Sequence, residues 1–181
     1  YRKFKPSPEH TIGVEIELGL VDMESKALVN DIDFLLDACP ERWKDAVKNE
    51  FMQSYCEFNT GICRTVDEVR LDFAEKLQWG YEKAVERGMT FLWSGTHPFS
   101  HWKDQSLSPG ERYEWLMQTM QYVARRLVVF GLHVHVGVDS GDKAIQMCDR
   151  LLRHLPTLMA LSSNSPHWLG QDTGLHSYRS K

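Results

Sequence analysis

Two carboxylates and two imidazoles stand out by their spacing. Glu15 and Glu17 lie in the stretch Thr11 to Asp22, where Ile12, Val14, Ile16, Leu18 and Leu20 alternate with Gly13, Glu15, Glu17, Gly19 and Val21. That period of two predicts a strand, so both carboxylates leave one face, about 7 Å apart along it. Carboxylates so placed suit hard cations, because magnesium takes oxygen ligands from a few carboxylates and keeps positions for water and substrate phosphates. His133 and His135 repeat the spacing between Gly131 and Gly137. An imidazole there can ligate a metal or donate a hydrogen bond to a phosphate or carboxylate. Alone, either pair also fits the solvated side of an amphipathic strand.

Glu50 and Glu57 flank a second aromatic-rich stretch, and a separation of seven puts them on opposite faces of a regular strand. They reach one site only if the strand carries a bulge or if Glu50 belongs to the entering loop. Arg64 follows the turn Asn59-Thr60-Gly61 and is a candidate partner for an anionic group or for a surface carboxylate.

Other chemistries find no support. There is no Gly-x-Ser-x-Gly elbow, no Walker A motif and no Gly-x-Gly-x-x-Gly fingerprint. The four cysteines, Cys39, Cys56, Cys63 and Cys148, include no C-x-x-C pair, which argues against a zinc cage and for buried or free thiols. A net charge of -4 argues against a binder of nucleic acid or anionic membrane, and no apolar run is long enough for a span. With 42% hydrophobic and 25% charged residues over 181 positions, one globular, cytoplasmic domain covering residues 1–181 is expected. Tyr1 in place of an initiating Met suggests a trimmed start.

These residues need elements to hold them. After the first strand, a short helix is expected from about Asp31 to Ala38, ending before Pro40, and a second strand over Glu50 to Phe58. Thr65-Val66-Asp67-Glu68 reads as a capping box opening a helix that ends at Gly88. Thr90 to Gly95 reads as a third strand, followed by a loop from Thr96 to Leu107. Ser108-Pro109-Gly110-Glu111 reads as the cap of a helix reaching Phe130. The His strand follows, then a helix from Ser140 that Pro156 should kink or restart, then a polar tail from Ser162. This order gives an α+β fold, an antiparallel sheet with helices packed on one face and the Glu and His rows on the other.

At this level of detail the chain resembles the glutamate–cysteine ligase type 2, or carboxylate–amine ligase, family. The matching stretches are Thr11-Ile-Gly-Val-Glu-Ile-Glu-Leu-Gly-Leu-Val-Asp22, Cys56-Glu-Phe-Asn-Thr-Gly61 and Gly131-Leu-His-Val-His-Val-Gly-Val138. Ser162-Ser-Asn-Ser-Pro-His-Trp168, Asp172-Thr-Gly174 and Ser177-Tyr-Arg179 extend the match, in family order, over nearly the whole chain. The resemblance implies a fold akin to the catalytic domain of glutamine synthetase, whose concave sheet face holds divalent ions and ATP. It implies ATP-dependent amide formation: a carboxylate, typically the side chain of glutamate, attacks the γ-phosphate, and an amine, classically that of cysteine, captures the acyl phosphate.

Carried over, Glu15, Glu17, Glu50 and Glu57 correspond to ligands of Mg2+ or Mn2+. His133 corresponds to a catalytic residue near metal and phosphates, and His135 to a neighbour of the nucleotide or of the substrate pocket. Arg64 and Arg179 are candidates for anion contacts, Arg64 in catalysis and Arg179 at the nucleotide. Family members continue beyond the segment that ends here at Lys181. The resemblance therefore implies an N-terminal portion with an incomplete fold, and an exposed sheet edge that favours homo-oligomers. A metal-dependent amide hydrolase and a non-catalytic binding module stay open beside the ligase.

Overall fold

The computed structural model describes residues 4–180; Tyr1 and Lys181, the two ends of the expected domain, lie outside the described residues. Strand β1 (Ile12–Asp22) is the spine of an antiparallel sheet. One edge of β1 takes β3 (Tyr55–Asn59), which in turn pairs with β2 (Val47–Asn49). Its other edge takes β4 (Met89–Leu92) at Gly19–Asp22 and β5 (Leu132–Val136) at Ile12–Ile16. The alternation in β1 serves both faces, with Leu18 and Leu20 buried on one side and Glu15 and Glu17 on the other.

Helices α1 (Ile32–Ala38) and α2 (Val66–Glu86) cover the apolar face, enclosing Leu18, Leu20, Leu35, Phe58 and Phe91. Close approach of α2 depends on Gly80, where a Cβ would stand 2.7 Å from the Phe58 ring. The N-cap hydroxyl of Thr65 accepts from the Glu68 amide at 3.2 Å, as the capping box predicts. The return arm differs: the Glu68 carboxylate accepts from the Arg64 amide, one residue before the cap, at 2.7 Å. A buried ammonium, Lys76, braces the end of β3 by donating to the Asn59 carbonyl at 2.8 Å while paired with Asp72 at 2.6 Å. Asp72 in turn accepts from the Gly61 amide at 2.7 Å, so helix and turn are locked together.

A second cluster, with Phe51, Tyr55, Val128, Phe130 and Trp168, covers the acidic face only at its Gly19 end. This cluster explains where the local expectations fail. The strand expected over Glu50 to Phe58 begins at Tyr55, because Phe51 and Met52 leave the sheet to pack in the second cluster. β2, only three residues long, falls below what a period of two can show. The helix expected from Ser108 to Phe130 is instead α3 (Glu111–Met120), a break at Gln121 with φ 47°, and α4 (Tyr122–Arg125). Gly110 occupies the cap position, while the Ser108 hydroxyl is buried without a partner. From there Val128 and Phe130 run extended because alternate residues bury in the cluster. The strand expected over Thr90 to Gly95 ends at Leu92.

Beyond β5, helix α5 (Gly141–Leu151) and helix α6 (Leu155–Ser162) are joined by one tight turn, and Pro156 opens α6 as expected of a restart. The tail holds a small hairpin, β6 (His167–Trp168) and β7 (Gln171–Asp172). It is tied to the body by Trp168 stacked on Tyr178, with ring centroids 5.0 Å apart, and by Arg126 donating to the Tyr178 hydroxyl at 2.9 Å. Among the described residues, no helix is long and apolar enough to cross a membrane.

Candidate functional site

Strand register turns the spaced residues into a grid. Glu17 of β1 lies opposite Glu57 of β3, and Glu15 lies opposite Asn59. On the other edge Glu15 faces His133 of β5, and Gly13 faces His135. Because side chains alternate across a strand, all of these project to one face. Glu50 stands just after β2, in the connection to β3, which removes the difficulty of the seven-residue spacing. Its carboxyl comes near enough to Glu57 and Glu17 to feel both charges.

The grid divides into two electrostatic halves. Glu15 is taken by the imidazoles: its Oε2 is 3.0 Å from His133 Nδ1 and its Oε1 is 3.3 Å from His135 Nε2. Partial burial pushes Glu15 upward, but the hydrogen bonds and charges of His133 and His135 outweigh it and hold the carboxyl below its ordinary value. Glu17 and Glu50 move the other way. Burial lifts both above the ordinary carboxylate value, and the like charge of Glu57 lifts them further. The Gly131 amide, donating to Glu17 Oε2 at 2.6 Å, works against that rise.

Gly131 is the focus of the site. A Cβ built there would meet His133 Nε2 at 2.9 Å, Glu17 Oε2 at 3.1 Å and an Arg179 terminal nitrogen at 3.2 Å. Only glycine lets an imidazole, a carboxylate and a guanidinium close on one point. The tail delivers Arg179, whose Nε donates to the Phe130 carbonyl at 2.9 Å. Beside Glu17 and Arg179 opens a cavity of about 490 Å³ bounded by Trp93, Gly131, Met159 and Asn164. Arg64 is not brought to this grid; its guanidinium pairs with Glu9 at 2.5 Å on the surface.

Whether a divalent cation suits these residues follows from their chemistry. Among the described residues, no three His, Cys, Asp or Glu side chains converge on one point, so the acidic groups form a row and not a closed cage. A row suits magnesium, which commonly takes one or two protein carboxylates and fills its shell with water and phosphate. Glu17 stays lifted despite the Gly131 amide, His133 and Arg179, and Glu50 despite Arg112 and the Phe51 amide, so a cation beside them would relieve their crowding. The donor set fits.

Residues 11–181 match the glutamate–cysteine ligase family 2. The chain belongs to that family. It is 44% identical over 182 residues to a Thermobifida fusca protein described as "Putative glutamate--cysteine ligase 2", covering 98% of this chain and 46% of that one. A protein of the same description from Gloeobacter violaceus is 41% identical over 180 residues, covering 98% of this chain and 48% of the relative. The chain thus spans just under half the length of these relatives. The glutamate–cysteine ligase of Francisella tularensis, solved in complex with AMP, superposes with TM-score 0.53 at 14% identity, over 86% of this chain and 30% of that one. The bifunctional glutathione synthetase of Pasteurella multocida gives TM-score 0.50 at 16% identity, over 80% of this chain and 18% of that one. These two share the fold, the antiparallel sheet with helices read from the family motifs.

The roles of three residues at or behind the grid do not follow from the motifs. Gly131 opens the His-strand motif, but its place against Glu17 comes from pairing with β1. Asn59, two residues past Glu57, looks like part of a turn signal, although a period of two places it on the acidic face. Lys76 carries no signal beyond its i,i+4 relation to Asp72.

Proposed function

We propose that this chain supplies part of the active site of an ATP-dependent carboxylate–amine ligase of the γ-glutamyl type. A carboxylate oxygen of glutamate attacks the γ-phosphorus of ATP and displaces ADP, and an amine then attacks the acyl carbon of the acyl phosphate, expelling inorganic phosphate and losing a proton to leave the amide. Glu17, Glu50 and Glu57 would hold Mg2+ or Mn2+, which supplies charge compensation between phosphates and carboxylate when bound. Glu15 fixes the imidazoles, binding His133 through Nδ1 so that Nε2 faces the point over Gly131. There the Arg179 guanidinium presents donors to an anionic group beside His133 Nε2, and Arg179 stays in place because the Phe130 carbonyl accepts from its Nε. His135, bound to Glu15 through Nε2, shapes the rim. Arg64 receives no role, since Glu9 occupies it.

The observation that carries this reading is the convergence of Glu17, His133 and Arg179 over Gly131 in a chain of this family. A cytoplasmic reaction is part of this proposal, as is a homo-oligomer formed through the edge of β5 that pairs with no strand among the described residues. The test is ADP release by the full-length protein with Mg2+, ATP and glutamate across a panel of amines that includes cysteine. Release should require glutamate and one amine, and Glu17→Gln should reduce it by roughly 10²-fold or more. Amide hydrolysis without ATP, or full activity in Glu17→Gln, would overturn the ligase.

A further inference from the structure

We propose that Asn59 is a positioning residue of the acidic row, fixing Glu57 with one end of its amide and offering the other end to a water of the bound divalent cation. This rests on the cation in the ligase reading above.

Asn59 is 8% exposed. Its Nδ2 donates to Glu57 Oε1 at 2.7 Å, and a carboxylate acceptor fixes which end of the amide is nitrogen. The other end, Oδ1, is buried and receives no hydrogen bond among the described residues. A buried acceptor without a donor is costly, so native interiors rarely keep one. The backbone donors beside it are already spent. The Asn59 amide N–H goes to the Ala46 carbonyl, and that of Thr60 goes to the Val14 carbonyl. The Lys76 ammonium is committed to the Asn59 carbonyl and to Asp72.

A donor from outside the chain, an ordered water or a group that binds, satisfies it. Asn59 is two residues from Glu57 and directly opposite Glu15, so its amide sits on the acidic face between those carboxylates. A water on a divalent cation is polarised into a strong donor and suits an amide oxygen. The two ends of Asn59 then do separate work. Nδ2 occupies one oxygen of Glu57 and orients the other, as partners behind metal ligands do. Oδ1 accepts from the cation's hydration shell. Lys76, holding the Asn59 main chain, keeps the amide from drifting.

The experiment is a Mn2+ titration of the full-length protein, with free Mn2+ followed by electron paramagnetic resonance, together with thermal unfolding in EDTA and in saturating Mn2+. The variants are Asn59→Leu, which preserves volume without polar atoms, and Asn59→Ala, which removes the side chain should leucine not fit. The expected result is a Mn2+ dissociation constant raised roughly ten- to a hundredfold in both, with the Mn2+-induced rise in Tm reduced and the Tm in EDTA little changed. Unchanged Mn2+ affinity in the variants would overturn the role of Asn59 while leaving the cation reading intact. A variant Tm depressed equally in EDTA and in Mn2+ would make Asn59 a structural residue and overturn it too. No Mn2+ binding by the parent protein would overturn the cation reading itself.

Discussion

The body formed by β1–β4, α1 and α2 and the region from β5 through α6 use the same sequence language with opposite results. In the body, Leu18 and Leu20 alternate along β1 and pack with Phe58 of β3 and Phe91 of β4, and all are buried. In the second region, Leu132, Val134 and Val136 alternate just as cleanly along β5, yet each is exposed, Val134 by 59%. Helices α5 and α6 likewise leave Ile145, Leu151, Leu155 and Leu158 open to solvent. Amphipathic patterning says that a face is built to be covered; it does not say by what. The contrast also locates the candidate site, whose carboxylates stand on the packed strands while its imidazoles stand on the open one.

Core truncation gives the widest separation between the two regions. Phe58→Ala should lower unfolding free energy by about 3–5 kcal/mol, whereas Val134→Ala should change it by no more than about 0.5 kcal/mol in the 181-residue chain. Denaturant titration of both variants checks this, and a comparable loss in Val134→Ala would erase the distinction. The next effect falls where the regions meet. Gly131→Ala would push its methyl against the ends of three flexible side chains, which can yield without breaking the core. We expect ligase turnover in the full-length protein to fall roughly 10²-fold, a loss like that of one misplaced catalytic donor. Its Tm should stay close to that of the parent, and a collapse of both together would make Gly131 a packing residue only.

The smallest effect is electrostatic. Glu50 has a folded-state pKa above its unfolded value, so the folded protein binds the extra proton in that interval. Stability therefore falls as pH rises from the ordinary carboxylate range through the raised value, and stays lowered above it. In metal-free protein, Glu50→Gln should be more stable than the parent at pH 7, on a scale of about 0.5 kcal/mol. The difference should vanish below about pH 4, where both forms are neutral. Thermal melts in EDTA across that range decide it. A variant less stable than the parent at pH 7 would show that Glu50 is already compensated.

Much of the grid was legible because strand geometry is local. A period of two put Glu15 with Glu17 and His133 with His135 on single faces, and the capping residues at Thr65 and Gly88 bounded α2 closely. What escaped was set by contacts distant in sequence. Phe51 and Phe130 look like parts of a strand and a helix, but both answer to a cluster that includes Trp168. Glu50 reaches Glu57 because the chain leaves the sheet between them, a turn that packing of Phe51 and Met52 imposes. Arg64 sits next to the right turn in sequence yet pairs with Glu9, since a long flexible cation goes to the nearest available carboxylate.

The sequence by itself determined which residues share a face, where α2 begins and ends, and the family to which those motifs belong. Only the tertiary structure decided that Glu15 is bound to imidazoles while Glu17 and Glu50 stand crowded by burial and by the charge of Glu57. Only it showed that Asn59 holds Glu57, and that Gly131 is the gap on which three side chains close. The physical reason is one of range. Backbone alternation and capping act over a few residues, whereas register, burial and Coulomb interactions depend on which strands lie side by side.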